Sequence, residues 1–214
     1  MATQLSLYNG ALLELGERTL VTTADNVEPR RLLDVVYATA VRQCLEQGFW
    51  KFALRTTKLA YDPSFTPPFG YTRQFVKPAD CVRLSKLCSD EFFNAPLLAY
   101  AEEAGFWFSN LDTIYVSYVS NDPAYGGNLA LWPESFVLYV QRYLGSRIVS
   151  RLEQSKVDTE AITKMTQIAL VDARSKDALE GPTTFPPSGS WVNSRREGWN
   201  IGRRDGGRRG GLIG

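Results

Sequence analysis

The most reactive side chains in this sequence are three cysteines, Cys44, Cys81 and Cys88, and the chain contains no histidine to work beside them. Without an imidazole, Ser-His-Asp and Cys-His nucleophiles and His-ligated zinc sites are excluded. Cys81 and Cys88 follow neither a C-x-x-C nor a zinc-knuckle spacing, so they read as small buried hydrophobes on a strand. An odd, sparse set of thiols with no secretory leader predicts a reducing compartment and no disulfide. Carboxylates cluster at Asp90-Glu91, at Glu102-Glu103 and around Asp122, residue types suited to a glycosidase-like acid and base. All three groups fall at apparent turns, where solvated charge is the simpler expectation. No G-x-x-x-x-G-K-[ST] loop occurs and no G-x-G-x-x-G follows a strand, and Gly126-Gly127 reads as a turn. The sequence therefore nominates no catalytic residue, no metal ligand and no cofactor site.

Two patterns suit binding instead. Phe106-Trp107-Phe108, with Tyr115 and Tyr118, has the composition of a base-stacking surface. No basic residue lies between Lys86 and Arg142, however, so core packing or a subunit contact is the stronger expectation. The second pattern is the stretch from Trp191 to Gly214. It offers Trp191, Arg195, Arg196, Trp199, Ile201, Arg203, Arg204, Arg208, Arg209, Leu212 and Ile213 among many glycines. No helical or strand period runs through it. Alone, it cannot offset an ordering cost of roughly 1–2 kcal/mol of backbone entropy per residue. We expect an extended arm that takes its shape from a neighbouring chain, its tryptophans and terminal Leu-Ile as anchors and its arginines paired with carboxylates. The alternative is a nucleic-acid-binding module in which an Arg/Gly-rich arm holds phosphates.

Charge divides the chain. From Arg195 onward six arginines face Glu197 and Asp205, a net +4; with +1 for the whole chain, residues 1–194 carry −3. A mildly acidic body disfavours a DNA-coating role. No stretch approaches the ~20 apolar residues that span a bilayer, so the expectation is a soluble protein.

These patterns need elements to position them. Thr3 to Leu15 carries Leu5, Tyr8, Leu12 and Leu15 at helical spacing, with Thr3 as a cap and Gly16 as a stop. After a connector, Pro29 opens a second helix to about Gln47 with Leu33, Val36, Tyr37, Ala40, Val41 and Cys44 on one face. Phe49, Trp50 and Phe52 form an apolar anchor. Strands are predicted at 54–61, 71–76, 82–87, 97–100, 105–109 and 113–119, the last two joined as a hairpin through Asn110-Leu111-Asp112. Trp132-Pro133-Glu134 begins a third helix running to about Leu152, and Asp158 or Thr159 caps a fourth. Its inward residues are Ile162, Met165, Thr166, Ile168, Ala169 and Ala173. Proline and serine from Gly181 mark a linker. The expected fold is α+β: a four-helix bundle from residues 1–48 and 132–180, an inserted, mostly antiparallel β-domain at 49–131, and a linker with an extended C-terminal arm at 181–214.

The order of these blocks carries a resemblance. LSLYNGALLELGERTL, FWKFALRTTKLAY, YTRQFVKPADCVRLSKL, IYVSYVS and LWPESFVLYVQRYLGSRI, taken together from about Leu5 to about Ala178, resemble the tail tubular protein A family, the head-to-tail adaptors of short-tailed bacteriophages. The resemblance implies a virion tail protein assembled in the host cytoplasm as a ring of twelve copies. It would sit between the portal protein and the tail nozzle, tail tubular protein B, with tail fibres nearby and genomic DNA passing through without sequence-specific binding. It implies no membrane and no enzymatic activity. Gly145-Ser146 stands where the family pattern has an alanine-rich turn, which predicts a bend in the third helix.

Overall fold

Four helices and two small antiparallel sheets make an α+β fold in the computed structural model, which describes residues 2–65, 67, 69–152 and 159–181. Residues 1–179 form one compact unit, and of residues 180–214 only Glu180 and Gly181 are among the described residues. Helix α1 (Gln4–Glu14) starts where expected, because Thr3 and Ser6 cap it reciprocally: Ser6 N–H donates to Thr3 Oγ1 at 3.1 Å and Thr3 N–H to Ser6 Oγ at 2.8 Å. The chain leaves it through Gly16, at φ 71°. Leu7 and Ala11 join Tyr8 and Leu12 in its buried face and Leu5 is only partly covered, since α1 meets two other helices. The connector after it is pinned by Asn9, whose side chain accepts from Leu20 N–H at 2.8 Å and donates to Leu20 C=O at 3.1 Å.

Helix α2 (Glu28–Glu46) has Pro29 in its first turn and buries Leu33, Ala40, Cys44 and Leu45. Helix α3 (Glu134–Ile148) packs against α1, α2 and α4 (Thr159–Leu179) and buries Phe136, Val137, Tyr139, Val140, Leu144 and Ile148. It stops before Leu152 because a 3-10 turn, Val149–Arg151, takes over. It runs on as α-helix through Gly145-Ser146, and Gly145 faces α1 at ordinary contact distance, with a Cβ there 3.5 Å from Ala11 O. On α4, Ile162, Thr166, Ala169 and Ala173 point inward as expected, but Met165 and Ile168 do not. At about 100° per residue they lie outside the arc that those four occupy.

The strands are β1 (Leu54–Ala60), β2 (Arg73–Val76), β3 (Cys81–Cys88), β4 (Ala101–Glu103), β5 (Phe106–Ser109) and β6 (Thr113–Ser120), arranged as antiparallel sheets β1-β6-β3 and β2-β5-β4. Two expectations are corrected. Leu97 to Tyr100 is not a strand; Pro96 makes an isolated bridge to Cys88, Leu97 N–H reaches Leu87 C=O at 2.8 Å, and the strand begins only at Ala101. Nor do β5 and β6 form a hairpin. The tight turn is instead Ala104-Gly105, with φ 47° and 85°, and it joins β4 to β5. Asn110 and Asp112 turn toward β2, accepting from Thr72 N–H at 3.0 Å and Arg73 Nε at 2.8 Å, so the chain changes sheets there.

Apolar side chains fall in two clusters. Phe75 and Trp107 of one sheet meet Cys81, Leu87, Ile114, Val116 and Tyr118 of the other, while the helices share a second cluster with Trp50, Ala53, Trp132 and Val119. Strand β6 serves both, because successive residues point to opposite faces. Phe49 is the exception to the expected aromatic anchor: it stays exposed, under the Arg83 guanidinium at 4.3 Å.

The joint between strand and helix is tightest at Gly126, where a Cβ would sit 2.2 Å from Ser120 O and 2.9 Å from Ala53 Cβ. Gly126→Ala is therefore expected to lower stability by about 2–3 kcal/mol. Gly145→Ala should be neutral or gain up to about 1 kcal/mol from helix propensity. Urea midpoints at unchanged m-value separate the two, and a wild-type midpoint for Gly126→Ala would refute the close approach.

Candidate interaction surface

The densest polar cluster surrounds Asp80, in the turn that leads into β3. Its carboxylate accepts from Arg55 Nη1 at 3.0 Å, from the Tyr118 hydroxyl at 3.2 Å and from the Ser120 hydroxyl, and its C=O accepts from Asn121 N–H at 3.1 Å. Arg55 also approaches Asp122 at 3.8 Å and lies over the Tyr125 ring at 5.2 Å. Burial works to raise the Asp80 pKa, but the Ser120 and Arg55 hydrogen bonds outweigh it and hold the carboxyl below its ordinary value. Burial, with the Asp80 charge beside it, lifts Tyr118 to about 12. A carboxylate kept ionised next to a phenol kept protonated exchanges no proton near neutral pH. The cluster is a latch holding the ends of β1, β3 and β6 to the turn at 121–125.

The other candidates for chemistry are occupied or inert. Burial raises Cys44 to about 12 and Cys81 to about 11, and it raises Cys88 as well. Thiols so shifted are not nucleophiles at neutral pH. Glu102 sits on β4, not at a turn; it pairs with Lys77 and accepts from Trp107 Nε1 at 3.0 Å, and the Lys77 hydrogen bond is the main cause of its lowered pKa. Asp90 shapes its own turn by accepting from Asn94 and Ala95 N–H at 3.0 and 2.8 Å. Among the described residues, no group of three or more Cys, Asp and Glu is placed to hold a metal ion.

The aromatic strand divides. Trp107 and Tyr118 are buried between the sheets and present no ring to stack a base, whereas Phe106, Phe108 and Tyr115 are partly open. Cations missing from the neighbouring sequence arrive across the sheet: Lys58 pairs with Tyr115 in register and stands 5.8 Å from its ring, and Lys77 lies 5.4 Å from that of Trp107. All eleven arm residues proposed as contacts, from Trp191 to Ile213, lie outside the described residues.

What the described residues do offer is apolar surface. Helix α4 leaves Met165, Ile168, Val171 and Leu179 outward at 48, 57, 62 and 82 % exposure, from the flank of the face it buries against α3 round to the opposite side. These side chains widen the apolar part of α4 beyond the stripe that its packing on α3 covers. Val35 on α2 and Phe69, Phe92 and Leu98 in loops add isolated exposed groups. The sequence did carry the α4 signal, as apolar residues too many for one face. Two clefts indent the helical part: one of about 360 Å³ lined by amides and hydroxyls, including Gln43, Gln47, Tyr143 and Thr166, and one of about 370 Å³ bordered by Phe49, Arg83 and Arg174. A third of about 470 Å³ lies beside β3, between Leu84, Leu87, Phe93 and Leu98. Among the described residues, no helix is long and apolar enough to cross a membrane. Compared with known proteins, the chain matches no family model and no curated protein.

The latch generates a pH dependence. Because the folded Asp80 pKa is lowered, its contribution is present above the unfolded aspartate value of about 3.9 and is lost as pH falls through the folded value. Asp80→Asn is expected to cost about 1–3 kcal/mol near neutral pH, with the gap to wild type narrowing in acid below about pH 4. Urea titrations across that range check it, and a gap that stays constant into strong acid would overturn the assignment.

Proposed function

We propose that the chain is a structural subunit of a head-to-tail adaptor ring of the tail tubular protein A type, placed in the virion tail between portal protein and tail nozzle. In this arrangement a four-helix bundle carries the inserted β-domain, and residues 181–214 form an arm that reaches a neighbouring subunit or the portal. Ring symmetry multiplies weak contacts into avidity. The body, at −3 for residues 1–194, suits a channel wall along which DNA slides, since a basic lumen would retain it. No catalytic step belongs to this function. The single observation that carries it is the outward apolar stripe of α4, which a neighbouring subunit would cover. The occupied carboxylates and the burial of the thiols support a structural role.

The alternative, a nucleic-acid-binding module using the Arg/Gly-rich arm, loses Trp107 and Tyr118 as stacking surfaces, because both are buried. Native mass measurement of the protein mixed with a portal separates the two. The adaptor predicts a complex of ring stoichiometry that is lost on truncation after Pro187 and weakened at least tenfold by the double substitution Met165→Glu and Ile168→Glu, with the monomer's thermal midpoint preserved. Assembly that survives the truncation while salt-sensitive DNA binding disappears would establish the alternative instead.

A further inference from the structure

The C-terminal ends of α2 and α4 meet, and each is capped by a cation from outside its own helix. Arg83 Nη1 of β3 donates to Glu46 C=O at 2.9 Å and Arg174 Nη2 of α4 to Gln47 C=O. In return Lys51, just after α2, donates its ammonium to Asp177 C=O and to Ala178 C=O at 3.2 Å, and its backbone N–H to Asp177 Oδ1 at 2.9 Å. Cations at helix C-termini are favourable, but these bonds occupy little of either guanidinium, which has five N–H donors. Neither Arg83 nor Arg174 has an ion-pair partner among the described residues. Both border the cleft of about 370 Å³, whose wall is Gly48, Phe49, Trp50 and Ala178. Arg83 Cζ lies 4.3 Å from the centre of the Phe49 ring, and Gly48 admits no side chain, since a Cβ would sit 2.7 Å from the Trp50 indole.

We propose that this cleft receives a carboxylate side chain of a partner polypeptide between Arg83 and Arg174. The guanidinium fork matches a carboxylate, and Phe49, Trp50 and Ala178 give the residue bearing it an apolar wall. A single negative charge fits better than a phosphate backbone. Asp177 and the C-terminal residues of α2 and α4 border the same cleft, so repulsion grows with every negative charge beyond the one that the two guanidiniums can pair. The partner class rests on the assembly function proposed above, but the binding chemistry does not, and the test below involves no ring.

The full chain is unfolded thermally with N-acetylglutamate α-amide, with its neutral isostere N-acetylglutamine α-amide, and with a short DNA duplex, at matched ionic strength. The glutamate probe should give a saturable rise of roughly 3–5 °C at ten times its Kd, and the glutamine probe none. Arg83→Gln and Arg174→Gln should each weaken the effect at least tenfold. Arg174→Lys, which keeps a donor for Gln47, and Phe49→Ala, which leaves both caps in place, should weaken it less and keep the fold measurable if the glutamine variants unfold. No saturable shift, an equal response to both amides, or a glutamate response untouched in the variants overturns the proposal. Arginine-dependent stabilisation by DNA also overturns it, in favour of a phosphate site.

Discussion

Phe136 touches four aromatic rings, and their positions along the chain fix how the fold can close. Trp50 and Phe52 follow α2, Trp132 precedes α3 and Tyr139 lies one turn on, with centroids 4.8, 4.9, 4.9 and 6.2 Å from Phe136. The rings therefore hold the point where the chain leaves the helices beside the point where it returns. Both indoles are also satisfied, Trp50 Nε1 by Cys44 C=O at 3.1 Å and Trp132 Nε1 by Gly126 C=O at 2.8 Å. Each aromatic pair is worth about 0.5–1.5 kcal/mol beyond its burial. An indole shifted out of place would lose that and strand a buried donor as well.

From this joint the constraint passes to the strands. Gly126 must be bare because Ser120 O and Ala53 approach it, and Ser120 in turn holds Asp80. Strand β6 sends Ile114, Val116 and Tyr118 into the cluster between the sheets and Val119 into the cluster shared with the helices. A shift of one residue in its register would exchange those faces and empty both. Position along β6 is thus set twice, once by packing and once by the Asp80 latch at its end.

Much of this was legible in the sequence. Thr3, Gly16, Pro29 and the helical spacings announced α1 and α2, and most strands lay within a residue or two of their predicted bounds, because caps, prolines and alternation act locally. What failed was long-range. The pairing of β5 with β2 instead of β6 depends on where Asn110 and Asp112 spend their hydrogen bonds. Lys58 beside Tyr115 is a neighbour only across the sheet. Met165 and Ile168 read as inward when every apolar residue of the helix is taken as core, although at about 100° per residue they fall outside the arc of Ile162, Thr166, Ala169 and Ala173. Arg83 and Arg174 stand ninety-one positions apart in the chain, and no motif relates them.

The edges of the β1-β6-β3 sheet bear on how copies of the chain can meet. Arg55 and Lys58 lie on one edge strand, and the other is bulged between Cys81 and Arg83 and again between Leu84 and Lys86, with Pro96 bridged against its far end. Charge, irregular pleating and a residue without an amide hydrogen are poor templates for adding a foreign strand. Copies held at high local concentration can press their flanks together without their sheets zippering into one another.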